Sequence, residues 1–435
     1  MPQPTVSEYY SQRKPSSIRM AQIAFAQRKD KVKAINLAIG NVSLPVHPAM
    51  ARRLNSLGKD SLEAQVIKYT PTLGLKQANQ AFLHVLASGG FSTEGLYSQV
   101  TDGGTLGMEL MILGICGEAG SSERPLMMIE PIYTNYPALA RRLGRATVSI
   151  RRTLQEDGTF TLPDLGEIEE IIKESRPGGL LIIPYDNPTG QMMRAEALKE
   201  LARLCVRYNL WLISDESYRM LYYIDGEPVS VWGITEEDVP GIGGRRISIE
   251  TASKIWNACG LRIGALITDS KLFHDKALAE QTTNLCASKI GQELFGALAE
   301  ESFADLNAWY GKQCAYYSGM SASFAKALKE TLPGVIVSSP DAALYSVVDV
   351  RNLVKKGFDS IEFAMYCATR GKVVVEGEEL TLLTAPLSGF YTNKPGMENP
   401  GKTQMRIAYV EPPENMTRAP LLFAELLKAY EAERS

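Results

Sequence analysis

Ile247-Ser-Ile-Glu250-Thr-Ala-Ser-Lys254-Ile-Trp-Asn-Ala-Cys-Gly-Leu-Arg262-Ile-Gly264-Ala-Leu-Ile-Thr268 is the stretch whose reading decides the fold. Two short apolar runs, Ile247–Glu250 and Ala265–Thr268, flank a segment carrying an amine, two hydroxyls, a guanidinium and two glycines. Short β-branched runs bounded by polar, glycine-containing segments predict buried strands. Chemistry set directly after a strand is where ligands bind on sheets of alternating strands and helices.

Moving outward, the same pattern recurs. Further strands are expected at Leu126–Ile129, Thr147–Ile150, Leu180–Ile183 and Trp211–Ser214, with amphipathic helical segments such as Ala195–Tyr208 between them. This alternation predicts an α/β fold with a large, doubly wound, mostly parallel sheet. Residues Gln292 to Glu330 read as long helices. From Thr331 the pattern turns α+β: strands at Val335–Val337, Tyr345–Val350 and Arg406–Val410, helices at Asp359–Thr369 and Leu421–Glu433, and a long loop over Thr384–Lys402. The polar first 35 residues, with a helix near Ser17–Arg28, are expected to return to this smaller part or to a partner subunit rather than to form a domain alone. The expected domains are therefore 45–300, and 1–44 together with 301–435.

A chain of 435 residues with 46 basic and 49 acidic side chains is nearly charge-balanced, which argues against nucleic acid or an anionic membrane as partner. No apolar stretch approaches the roughly 18 residues of a membrane span. The start, Met-Pro-Gln-Pro-Thr-Val-Ser-Glu, lacks a secretory apolar core. Six separated cysteines read as reduced thiols of a cytoplasmic protein, and three scattered histidines predict no metal site.

Lys254 alone is an ordinary lysine, but three more elements accompany it. Asp215 ends the run Trp211-Leu-Ile-Ser and begins Asp215-Glu-Ser-Tyr218; Asn187-Pro-Thr-Gly190 follows another apolar run. An amine, an acid, a phenol and an amide at strand ends suit a pyridine aldehyde cofactor. The amine holds the aldehyde, the acid keeps the ring nitrogen protonated, and phenol and amide bond the ring oxygen. Thr251, Ser253 and Arg262 form a candidate phosphate clamp, since arginine grips phosphate through a planar fork. Val100-Thr-Asp-Gly-Gly-Thr-Leu-Gly107, ahead of a helix at Met108–Cys116, offers Gly104 and Thr105 as a second phosphate seat. It does not fit the nucleotide-binding Walker pattern. Tyr133, in Pro131-Ile-Tyr133-Thr-Asn-Tyr136, is a candidate ring to stack on the cofactor.

Together these elements resemble the class I/II aminotransferases, the fold-type I enzymes that use pyridoxal 5′-phosphate. The resemblance runs from about Ile35 to Tyr430 and includes Asn36-Leu-Ala-Ile-Gly40, Tyr69-Thr-Pro-Thr-Leu-Gly74 and Met405-Arg-Ile-Ala-Tyr409. It implies that Lys254 carries the cofactor, that Asp215 faces the pyridine nitrogen, and that Tyr218 and Asn187 hold the ring oxygen. It implies Gly104, Thr105, Thr251, Ser253 and Arg262 around the phosphate, with Tyr69 reaching the neighbouring subunit of a homodimer with shared active sites. Arg406, beside Gly40, becomes the anchor for the substrate α-carboxylate, with Asn187 near it.

The resemblance has departures. Leu285-Cys-Ala-Ser-Lys-Ile-Gly-Gln292 lacks the Asn-Pro of many relatives. Thr105 stands where one aspartate-specific branch carries lysine, and Thr282 where another carries arginine. The run Ala385-Pro-Leu-Ser-Gly-Phe-Tyr391 still resembles the aspartate aminotransferase-like branch. The implied activity is amino-group transfer between an L-amino acid and a 2-oxo acid, aspartate-like or broad, with donor choice placed in loops near Ser17–Arg19, Asn135 and Tyr391. A C–S β-lyase on the same cofactor is the alternative. A cofactor-sensing regulator is disfavoured, since no basic segment provides its winged DNA-binding domain.

Overall fold

The computed structural model describes residues 3–60, 66–338 and 340–434. Seven strands form the large sheet: β1 (Tyr97–Asp102), β2 (Leu126–Glu130), β3 (Thr147–Arg151), β4 (Gly179–Ile182), β5 (Trp211–Asp215), β6 (Arg246–Thr251) and β7 (Ile263–Thr268). Their order across the sheet is β1-β7-β6-β5-β4-β2-β3. The pairs from β6 to β3 are parallel, whereas β7 runs antiparallel to both β6 and β1. The α/β, mostly parallel architecture is thus as expected, with β7 the one reversed strand.

Every residue of β2 and β4 is buried, which is why these strands read as continuous apolar runs rather than alternating ones. One core layer packs Leu126, Met128, Leu181, Ile213 and Ile249 of the sheet against Met111, Ile112 and Phe273 of two helices. Each such side chain contributes about 1.5–3 kcal/mol on burial. Helix Ala195–Arg207 buries Leu198, Leu201, Ala202, Leu204 and Cys205, a stripe at helical spacing.

One helix boundary corrects the sequence reading. The helix expected from Met108 starts at Gly103, so the glycines form its first turn instead of a loop before it. Gly103 has φ +64°, a conformation that glycine reaches without steric cost.

The chain divides into two compact units. The larger comprises Asn41–Ala322 with Ser338–Ser346; the smaller comprises Met1–Gly40, Ser323–Val337 and Val347–Ser435. In the smaller unit, strand Lys33–Asn36 pairs parallel with Glu378–Leu383, which pairs antiparallel with Val373–Val375. Two further expectations are corrected there. The loop expected over Thr384–Lys402 contains a strand, Ala385–Pro386, paired with Met405 and Arg406, and short helical turns at Leu387–Phe390 and Pro400–Thr403. The last helix spans Pro413–Glu433 and continues through Pro420. Pro413 suits a first helical position, where a missing N–H costs nothing.

Candidate active site

The motifs collect along one edge of the large sheet. Thr251 and Asp215 close the carboxyl ends of the neighbouring parallel strands β6 and β5. Asn187 follows β4, Tyr133 follows β2 and Gly103 follows β1. Because β7 is reversed, its first residue lies at this same edge, and Arg262 immediately precedes it. A single reversed strand therefore brings both halves of the opening motif to one place.

Asp215 is 4% exposed. Its Oδ2 accepts from the Tyr136 hydroxyl (2.9 Å), and its Oδ1 accepts from the Ser217 hydroxyl and N–H (2.5 and 3.1 Å). Among the described residues, no arginine or lysine is ion-paired with it. Burial raises its pKa, while hydrogen bonds from Ser217 and Tyr136 pull it down. A buried carboxylate held by hydroxyls but lacking a cation is costly, and a protonated ring nitrogen is the kind of partner it fits.

The phosphate candidates are in mutual contact. An added Cβ at Gly264 would lie 2.6 Å from the Gly103 carbonyl carbon and 2.7 Å from the Gly104 nitrogen. One at Gly103 would lie 2.5 Å from an Arg262 guanidinium nitrogen. The guanidinium thus rests against the first turn of helix Gly103–Ile115, whose Asp102 cap makes no side-chain bond to it. Thr251 donates to the Ser253 hydroxyl (2.7 Å), and the Ser253 N–H donates to Thr251 (3.1 Å). Helix N–H groups, two hydroxyls and an exposed guanidinium form a cradle suited to a phosphate dianion. The cradle and the buried Asp215 together fit pyridoxal phosphate.

Lys254 is half-buried in the turn after β6, where its carbonyl accepts from Asn257 N–H (3.0 Å). The Asn187 turn is fastened by Asp186, whose carboxylate accepts from Thr189 and from Arg152 (2.8 Å). Asn187 Nδ2 lies 3.5 Å from the Tyr218 hydroxyl, and the Tyr345 hydroxyl lies 2.9 Å from it. Burial raises the Tyr218 phenol well above its ordinary range, which favours its protonated, donating form. Tyr133 accepts from Asn135 Nδ2 (2.8 Å) and meets Tyr136 edge-on.

In the smaller unit, Arg406 is buried, donates to the Ala38 carbonyl (2.7 Å) and lies over the Phe390 ring. Gly40 follows closely in that same segment, which is tied to the sheet through Leu37 N–H to Leu383 and Ala408 N–H to Leu37. Tyr69 is 82% exposed on the larger unit. Of the expected donor-selecting loops, Arg19 and Asn135 stand in the first turns of helices Ser17–Ala26 and Asn135–Arg142; the Ser17 side chain lies outside the described residues. The Tyr391 hydroxyl donates to Gln404 (2.9 Å). Sequence reasoning missed Tyr345 and Tyr136. The signal for Tyr136 was its place three residues after Tyr133 in the quoted motif; Tyr345 had none.

Residues 32–396 fit the family model "Aminotransferase class I and II". The aspartate/prephenate aminotransferase of Thermus thermophilus is 24% identical over 95% of this chain and 96% of its own. The aspartate aminotransferase of Bacillus sp. strain YM-2 is 24% identical over 73% of this chain and 77% of its own. The solved kynurenine aminotransferase of Pyrococcus horikoshii covers 98% of this chain and 97% of its own at TM-score 0.78 and 19% identity, a likeness of fold. The chain belongs to the class I and II aminotransferase family. It is a transaminase on the fold-type I scaffold.

Proposed function

We propose that this transaminase moves an amino group between an L-amino acid and a 2-oxo acid with pyridoxal 5′-phosphate held covalently on Lys254. The observation that carries the reading is the buried Asp215 carboxylate, held by hydroxyls and an N–H and, among the described residues, ion-paired with no cationic side chain. When bound, the cofactor's protonated pyridine ring accepts electron density from a substrate bond breaking beside it. Asp215 keeps that ring nitrogen protonated. Tyr218 and Asn187 hydrogen-bond the ring oxygen, and Tyr133 stacks on the ring. Gly104, Thr105, Thr251, Ser253 and Arg262 bind the phosphate. Arg406, beside Gly40, grips the substrate carboxylate through its two-pronged fork, and Asn187 is a further substrate-binding residue. The Lys254 amine takes the substrate Cα proton as general base and delivers it again as general acid.

The exposed Tyr69 supports a homodimer in which this phenol completes the partner's phosphate site. All six cysteines are free, which supports a reducing, cytoplasmic setting. No described helix is long and apolar enough to cross a membrane. Donor scope is broad and includes aspartate, a reading supported by the Ala385–Tyr391 run and by relatives named for aspartate, prephenate and kynurenine.

A panel of amino donors against 2-oxoglutarate and pyruvate tests this. The expected result is stoichiometric exchange of amino and oxo acids that Lys254→Ala abolishes. Pyruvate and ammonia released without an acceptor would instead assign a β-lyase, and native turnover by Lys254→Ala would overturn the lysine's role.

A further inference from the structure

We propose that Tyr345 is a positioning residue of the ring-oxygen site: its hydroxyl donates to the Tyr218 oxygen and aims the Tyr218 proton at the cofactor. The inference rests on the reading of Lys254 and Tyr218 given above. A phenol has one proton to give and accepts through its oxygen. Two groups approach the Tyr218 hydroxyl, Asn187 Nδ2 at 3.5 Å and the Tyr345 hydroxyl at 2.9 Å. The amide nitrogen only donates. With Tyr345 donating as well, Tyr218 accepts from both groups and its own proton is left for a separate acceptor. Hydrogen bonds in such a chain polarise one another, so Tyr218 becomes the stronger donor.

How Tyr345 arrives supports the assignment. It belongs to Ser338–Ser346, a short segment that the chain returns to the larger unit. Ala342 N–H donates to the Gly190 carbonyl (2.8 Å), just after the Asn187 turn. Ala343 N–H donates to Leu221 (2.9 Å) and Tyr223 N–H to Asp341 (2.7 Å), just after the Tyr218 turn. Gly190 at φ +71° leaves no space for a side chain, since a Cβ there would lie 2.0 Å from the Tyr345 carbonyl oxygen. The segment therefore fastens both ring-oxygen loops and sets a second phenol against Tyr218. The Tyr345 ring meets Tyr218 edge-on at 5.7 Å, and both are buried. The other titratable groups facing Tyr218 are Asp215 and Tyr133.

The pH dependence of the bound cofactor's visible band provides the test. Donation toward the ring oxygen withdraws charge from it, so the adjoining Lys254 nitrogen loses its proton at lower pH. Tyr345→Phe is expected to raise the midpoint by about half a pH unit, the scale of one neutral hydrogen bond. Tyr218→Phe should raise it further, and Tyr218→Phe/Tyr345→Phe should match Tyr218→Phe alone, because Tyr345 acts through Tyr218. An unchanged midpoint in Tyr345→Phe, or a full additional shift in the double variant, overturns the inference. Should Tyr345→Phe fail to fold, 3-fluorotyrosine at position 345 keeps the shape and strengthens the donor. It should lower the midpoint, and no shift or a rise would contradict the assignment. A wild-type protein that never binds a coloured cofactor fails at the earlier step, the reading of Lys254, and the inference falls with it.

Discussion

Arg219 and Glu250 form a two-pronged ion pair inside the larger unit, at 2.7 and 2.8 Å, with both side chains almost fully buried. Glu250 sits one residue before Thr251, and Arg219 one residue after Tyr218. The pair therefore locks together the strand ends that carry the lysine segment and the acid–phenol segment. Glu216 lies 3.7 Å from the same guanidinium, and burial raises its carboxyl. Breaking a buried pair by removing one partner leaves a charge uncompensated. Arg219→Met is expected to lower stability by about 3–5 kcal/mol in urea unfolding. Arg219→Met/Glu250→Leu should recover only part of that loss, because Glu216 still loses the guanidinium beside it. A single variant within 1 kcal/mol of wild type would show that the pair does not anchor these strands.

Asp215 produces the opposite sign. Its folded pKa is raised by burial, so the carboxyl contributes stability below its unfolded pKa and loses it as pH rises through the folded value. Above that folded value the ionised group destabilises the cofactor-free protein. Asp215→Asn is expected to leave cofactor-free thermal stability equal or higher at pH 7 while lowering kcat by at least about 100-fold. A melting temperature that falls along with kcat would assign Asp215 a mainly structural role.

His47 offers a pH test away from the site. Its Nδ1 accepts from Ala49 N–H (3.2 Å) at the start of helix Pro48–Asp60, and its ring meets Trp256 and Trp309 edge-on. Burial lowers its pKa to about 4. The unfolded chain thus binds the extra proton first, and stability is full above about pH 6.5 and declines toward pH 4. The decline is at most about 3 kcal/mol from this group. His47→Asn keeps an acceptor for the helix start and removes the titration, so the slope of stability between those pH values should flatten. An unchanged slope would contradict the neutral ring.

Gly264→Ala probes the cradle. The new methyl would press on the backbone of Gly103 and Gly104 and the Glu250 carbonyl, none of which is a flexible side-chain end. Overpacking of this kind costs about 1–3 kcal/mol. The expected outcome is at least tenfold weaker cofactor retention, measured by reconstituting the cofactor-free protein. Retention equal to wild type would place the phosphate elsewhere.

Much of this was legible in the sequence, and the exceptions have physical causes. β2 to β7 lie where apolar runs predicted them, because strands buried on both faces announce themselves by composition. β1 was not foreseen: Tyr97-Ser-Gln-Val-Thr-Asp reads as polar, yet Gln99 and Thr101 are fully buried, with Gln99 hydrogen-bonded to Gln281. Polar satisfaction across distant segments leaves no local pattern. The reversal of β7 was equally silent, since an apolar run carries no direction. Lys254, Asp215 and Asn187 were singled out by their positions after strands, and Arg262 by its place in the lysine segment. Tyr345 was not, because backbone bonds to Gly190 and Leu221, rather than any side-chain motif, dock its segment.

The covalent attachment at Lys254 is the claim on which the rest depends, and borohydride reduction of the purified protein followed by peptide mass mapping measures it directly. The expected result is loss of the visible band together with a pyridoxyl-phosphate mass on the peptide containing Lys254, absent in Lys254→Ala. A coloured protein that carries the tag on a different lysine, or no tag on any peptide, would contradict the assignment.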